Sequence, residues 1–276
     1  MRVFYLHLRE ICTSKGFYIC ITSAVILLLS AEIYNDSITN NRYSVIQTVM
    51  KFDLNDMLNY FEMCDLMVMQ KAKNGWFSLF TPIITAFCFV PPICGEHDAN
   101  ARRFRIFRSS KLKFNLVRFF SSVICSGFAV MLGYVIFCGL IYFMFPHTAE
   151  FNGIQFENFN FAKSLLGMFL FGTFWSMPAM LLTSFLRNRY VIMCVPLLFK
   201  YGISQSVQKI SQNTLAGIDD IDYNLLKIAN IINPDRLMYL ENNSDMEWVI
   251  LISGIFAVIF SAGYIIAGMK TEDCGA

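Results

Sequence analysis

Residues 119–145 read FFSSVICSGFAVMLGYVIFCGLIYFMF, with no Lys, Arg, Asp or Glu among them. A hydrocarbon core about 30 Å thick takes roughly 20 helical residues, so this run is long enough to cross one. In lipid only helices and closed barrels satisfy their backbone polar groups, and the run lacks the apolar–polar alternation of a barrel strand. Working outward, the same reading applies to Phe17–Ile33, Trp76–Cys94, Ser164–Leu186, Tyr190–Val207 and Trp248–Met269. The whole chain is 56% hydrophobic and holds 28 Phe in 276 residues, a richer apolar content than soluble domains show. The expected fold is an all-α integral membrane protein. It has six transmembrane helices in a single domain, residues 1–276.

Immediately before the quoted run stands a compact basic stretch, Arg102-Arg103-Phe104-Arg105-Ile106-Phe107-Arg108-Ser109-Ser110-Lys111-Leu112-Lys113, which continues to Arg118. Short loops rich in Lys and Arg stay on the cytoplasmic side. With the N-terminus inside, thirteen of the 22 basic residues fall on that side: Arg2, Arg9, Lys15, seven from Arg102 to Arg118, Arg187, Arg189 and Lys270. The bias places both termini in the cytoplasm. Acids such as Asp53, Asp56, Glu62, Asp219, Asp220 and Asp235 fall outside, which agrees but weighs little. The first apolar run reads as a retained span, since no A-x-A-like site follows Ala31.

Nine cysteines are present. Cys20, Cys88, Cys94, Cys125, Cys138 and Cys194 lie in or at the ends of spans, Cys12 and Cys274 sit inside, and only Cys64 faces outward. An external intrachain disulfide therefore has no second partner, and the thiols read as small buried apolar groups.

Residues 1–15 mix Val3, Phe4, Leu6, Leu8 and Ile11 with Arg2, His7, Arg9 and Glu10, a pattern that suits a helix lying in the membrane interface. Two outer segments are expected, 34–75 and 208–247. In the first, Ile46, Val49, Met50, Leu54, Met57, Leu58 and Phe61 recur at helical spacing. That stripe fits either a helix capping a translocation path or one resting on lipid and neighbouring spans. The second carries Ile221, Leu225, Ile228 and Ile232, then breaks at Asn233-Pro234. Trp76 and Trp248 begin spans at the headgroup level, and Pro82, Pro91, Pro92, Pro178 and Pro196 fall within or at the ends of spans.

Catalytic signatures are absent. The chain has no G-x-x-x-x-G-K-[ST], G-x-G-x-x-G, H-E-x-x-H or G-x-S-x-G sequence, so it is not expected to bind ATP or a resident metal or to act as an enzyme. Cys94-x-x-His97 has no second pair to complete a metal site. Lys200 is the one cation well inside a span, and a membrane-centre lysine costs a few kcal/mol. Either it has a functional role, or the fifth span is short near Pro196 and Gly202 and lets Lys200 reach water or a partner helix.

Several of these features stand together. Gly95-Glu96 closes the second span, and the basic stretch leads through Lys113-Phe114-Asn115-Leu116-Val117-Arg118 into the third. A short Arg187-Asn188-Arg189 turn follows the fourth, and a re-entrant-like stretch precedes the last. With the interfacial N-terminus and both termini inside, the whole chain resembles the permease subunit of a type-2 ABC exporter, from bacterial drug, peptide and polysaccharide efflux systems. The resemblance is one of architecture with loose motifs. It implies that residues 95–118 form a coupling segment that docks on a separate ATPase. Glu96, Arg102, Arg103, Arg105 and Arg108 would make that contact, with Arg9 and Glu10 as a second one.

It further implies two ATPase subunits that hold the ATP and Mg, and a second permease, identical or paralogous. The location would be the bacterial cytoplasmic membrane, with lipid and no nucleic acid as surroundings. Thr81, Phe87, Phe89, Phe199 and Lys200, on spans two and five, would line the path. The expected substrate is hydrophobic or amphipathic, such as an antimicrobial peptide or drug. The alternative is a non-transporting membrane protein, an immunity or sensor subunit.

Overall fold

Ser14 turns the chain between its first two helices. In the computed structural model, which describes residues 2–35, 41–53, 64–98, 110–147, 160–215, 233–240 and 246–273, α1 (Arg2–Cys12) and α2 (Lys15–Leu29) meet at 56°. The Ser14 hydroxyl accepts a bond from the Phe17 amide, the usual device for starting a helix.

After α2 the chain forms an antiparallel pair of strands, β1 (Glu32–Asn35) and β2 (Arg42–Ser44), with Glu32 opposite Ser44. This hairpin departs from the all-helical expectation, because Tyr34, Tyr43 and Phe52 gather their rings into one cluster there. Helix α3 (Val45–Lys51) follows through a capping box of Ser44 and Gln47. Of the helical stripe expected in this region, Ile46, Val49 and Met50 lie on α3, with Ile46 and Met50 exposed. Leu54, Met57, Leu58 and Phe61 lie outside the described residues. Helix α4 (Asp65–Lys71) then leads into the bundle.

The long helices are α5 (Trp76–Asp98), α6 (Lys111–Met144), α7 (Phe161–Leu182), α8 (Arg189–Leu215) and α9 (Met246–Asp273). At 1.5 Å per residue the 34 residues of α6 extend about 51 Å, more than a hydrocarbon core requires. Pro82, Pro91, Pro92, Pro178 and Pro196 all lie inside these helices without ending them. Membrane helices tolerate such positions where neighbours satisfy the freed carbonyls.

Helices α5, α6 and α7 pack mutually and form the centre of the bundle. The other three occupy its grooves: α2 between α5 and α6, α8 between α5 and α7, and α9 between α6 and α7. At the α6–α7 crossing, a Cβ on Gly127 would strike Thr173 and the Phe169 carbonyl oxygen. Small residues permit this close backbone approach, which membrane helices use for dispersion contact where water provides no drive. Several buried hydroxyls are satisfied by carbonyls. Ser126 donates to Ser122 O on its own helix and, at 3.2 Å, lies within reach of Thr85 O on α5.

Among the described residues four helices, within α5, α6, α7 and α9, are long and apolar enough to cross a membrane, or up to five if the bent α1–α2 pair counts as one span. The fifth expected span, α8, is 27 residues long but carries Lys200 and a polar second half with Gln205, Gln208 and Lys209. It is therefore not among the four. The thiols follow the buried reading at Cys20, Cys64, Cys88, Cys94, Cys125 and Cys138. Cys12 is half-buried, Cys194 is exposed on α8, and Cys274 lies outside the described residues.

Candidate functional site

The last turns of α5 carry Glu96, and the second turn of α6 carries Arg118. Their side chains meet, with Arg118 Nη2 donating to Glu96 Oε2 at 2.7 Å. Both groups are withdrawn from solvent, 2% and 11% exposed respectively. Two charges leave water only where each satisfies the other, so this pair fixes how the end of α5 sits against the start of α6. The guanidinium also lies 5.7 Å from the centre of the Phe114 ring, one turn earlier on α6.

Helix α1 joins from the side. His7 is buried and sets its imidazole edge-on to Phe114, with ring centres 5.4 Å apart. His7 and Glu10 stand three residues apart, hence on one face of α1, and Nδ1 lies 4.0 Å from Glu10 Oε2. One atom each from His7, Glu10 and Glu96 falls within 4.8 Å of the others. The trio has the donor types of a metal site, but the Arg118 guanidinium already supplies a cation to Glu96. The arrangement works as a charged network linking α1, α5 and α6.

The network joins the end of α5 to the start of α6, the two helices that residues 99–109 connect in the sequence. Of the seven expected coupling residues, Glu96 and Glu10 converge in the network, and Arg9 is exposed on α1. Arg102, Arg103, Arg105 and Arg108 lie outside the described residues.

The five expected path residues do not share one surface. Thr81 and Phe89 are buried in α5, and Thr81 spends its hydroxyl on the Phe77 carbonyl at 2.6 Å. Phe87 is half-buried, packed against the core, while Phe199 on α8 is 48% exposed. Lys200 is buried between α8, α5 and a short 3₁₀ turn, Pro234–Tyr239. Its ammonium donates to the Ser78 carbonyl and hydroxyl, the latter at 2.7 Å, and to Asp235 Oδ1 at 2.7 Å. The Phe171 and Trp175 rings flank it at 4.8 and 4.9 Å. Ser78 stands in the first turn of α5, so Lys200 lies level with the Trp76 end of the bundle.

A second buried lysine holds the same turn. Lys73 donates to Ser164 Oγ at 2.7 Å and to the Met238 carbonyl at 2.9 Å, with the Tyr134 and Tyr239 rings beside it. Two ammonium groups, one from α8 and one from the α4–α5 link, thus clasp the turn. Asn233 begins it by accepting from the Asp235 amide, at the Asn-Pro break expected from sequence.

Lys73, Ser78, Ser164 and Asp235 were not singled out in the sequence, and Arg118 was counted only as a basic flank. No linear spacing ties Lys73 to Met238, which stand 165 positions apart. For Arg118 a signal exists in its place at the edge of the quoted apolar run, where a cation needs a partner. The fold is mostly helical, with four to five candidate membrane-spanning helices among the described residues, as suits a helical membrane protein. No protein-family model matches the chain, and no curated protein matches it significantly.

Proposed function

We propose that this chain is the permease subunit of an ATP-driven ABC exporter for a hydrophobic or amphipathic substrate, such as an antimicrobial peptide or drug. The observation that supports it best is the network of His7, Glu10, Glu96 and Arg118. It joins the amphipathic α1 to the end of α5 and the start of α6, the helices on either side of the basic stretch. A force applied to that stretch by a soluble partner would pass directly to α5 and α6, two of the three central helices. Coupling of this kind requires differential contact with two states of the bundle, and a buried ion pair between helices is a suitable place for it.

On this reading the Glu96 end faces the cytoplasm, both termini lie there, and six passes cross a bacterial plasma membrane. Two such permeases, identical or paralogous, enclose the path. ATP and Mg belong to two partner ATPase subunits. Glu96, Arg102, Arg103, Arg105 and Arg108 form the docking contact, and Arg9 and Glu10 support it. At the opposite end, the turn clasped by Lys73 and Lys200 seals the bundle on the outer face.

The test is affinity purification of the intact chain from native membranes. The expected result is a co-purifying nucleotide-binding ATPase, with substrate-dependent turnover that falls when Arg102, Arg103 and Arg105 are all replaced by Ala. Recovery of the chain without any nucleotide-binding protein would overturn the proposal and favour a non-transporting membrane protein.

A further inference from the structure

Cys12 ends α1 and Cys125 lies on α6, two turns beyond Arg118. Their sulfurs stand 3.7 Å apart although 113 positions separate them in the chain. Cys12 is half-buried and open to small solutes, whereas Cys125 is 1% exposed. A disulfide needs its sulfurs at about 2.05 Å. The two helices are packed on each other, so rotation of the two side chains is the motion that would close that gap.

The pairing of one reachable thiol with one enclosed thiol has a chemical consequence. A thiol open to solution meets an oxidant first, and a second thiol in contact with it then converts the product into a disulfide before further oxidation. We propose that Cys12 and Cys125 form an oxidation site, at which a peroxide links α1 covalently to α6. Cys12 sulfur attacks one peroxide oxygen. The O–O bond breaks, hydroxide leaves with the electron pair, and with the Cys12 proton it becomes water. Cys12 is left as the sulfenic acid. Cys125 sulfur then displaces hydroxide from Cys12, the S–S bond forms, and the Cys125 proton completes a second water. Two thiols lose two electrons and two protons, and the peroxide is reduced to two waters. A small thiol reductant reverses the step by exchange.

Two neighbours compete. Cys88 on α5 lies near enough to interact electrostatically with both members of this pair, and Cys20 on α2 stands behind it, in reach of Cys88. Both are fully buried, so neither offers the first point of attack. The bond holds α1 along α6 from His7, against Phe114, to Cys12, against Cys125.

The experiment treats membranes containing the full chain with hydrogen peroxide, denatures in N-ethylmaleimide, digests, and maps thiols by mass spectrometry. The expected result is a linked peptide joining Cys12 to Cys125, with matching loss of maleimide at both positions and recovery by dithiothreitol. In the Cys125→Ser protein, Cys12 should instead accumulate sulfenic and sulfinic acid. Maleimide retained at Cys125 while Cys12 is oxidised would overturn the proposal. So would a bond from Cys12 to Cys20 or Cys88. The decisive readout uses the unaltered chain, so a folding defect in a variant does not affect it.

Discussion

Lys200 Nζ lies 2.7 Å from Asp235 Oδ1, joining the middle of α8 to a turn 35 positions further on. The lysine side chain is 2% exposed and the carboxylate 24%. Removing one member of such a pair leaves the other charged in a poor dielectric, and the two members are not equally trapped. Asp235→Ala strands the ammonium among Ser78, Phe171 and Trp175, and is expected to cost about 2–4 kcal/mol. Lys200→Met keeps the volume and leaves a carboxylate with access to water, so its cost should be nearer 1–2 kcal/mol. Denaturant titration in detergent micelles compares them, and equal effects below about 0.5 kcal/mol would show that the pair is not formed.

Gly167 and Gly254 should respond in opposite ways to a methyl group. A Cβ on Gly167 would meet the Leu237 carbonyl oxygen, whereas Gly254 has nothing within 4 Å. Gly167→Ala must push the 3₁₀ turn away from α7 and should lose about 1–3 kcal/mol. Gly254→Ala should be neutral or gain up to about 1 kcal/mol by restricting the unfolded helix. Thermal unfolding of the two variants in parallel decides it.

Glu96→Ala deprives a nearly fully buried guanidinium of its carboxylate. Arg118 Nη1 already has no hydrogen-bond partner among the described residues, so the loss is not shared. A fall of about 3 kcal/mol is expected. Glu96→Gln keeps an acceptor and should lose less than half as much. If Glu96→Ala unfolds at the same denaturant concentration as the unaltered protein, the ion pair does not hold α5 to α6.

Lys73→Met removes the bonds to Ser164 and to the Met238 carbonyl, each worth about 1.5–3 kcal/mol with a charged donor. Ser164→Ala removes only one of them and should cost less. The local consequence is release of the turn, so limited proteolysis near residues 233–240 should accelerate in Lys73→Met and remain slow in Ser164→Ala.

Much of the fold was legible as runs of apolar residues, because spanning helices must be long and uncharged whatever they pack against. The Asn233-Pro234 turn was equally legible, since Asn caps a helical turn through its side chain and Pro suits its first position. The hairpin at β1 and β2 was not, because its strands are only a few residues long and its drive is an aromatic cluster. At the charged network, Glu96 and Glu10 stood out from their neighbours. His7 and Arg118 did not, because burial and partnership are properties of packing. The five expected path residues came from the resemblance, which points to spans two and five without saying which faces line a path, and side-chain direction then divided them between core and surface.

From the sequence by itself follow the apolar helices, the basic stretch between two of them and the position of the turn. Composition and short-range stereochemistry act within about 20 residues, which is the reach of one helix across a membrane. Only the tertiary structure decided that Lys200 is tied to Asp235, that Lys73 reaches Met238, that Arg118 is neutralised by Glu96, and that Cys12 touches Cys125. Those partners are chosen by which grooves the outer helices occupy around α5, α6 and α7. A buried charge or thiol acquires its role from whatever that packing brings within a few ångströms.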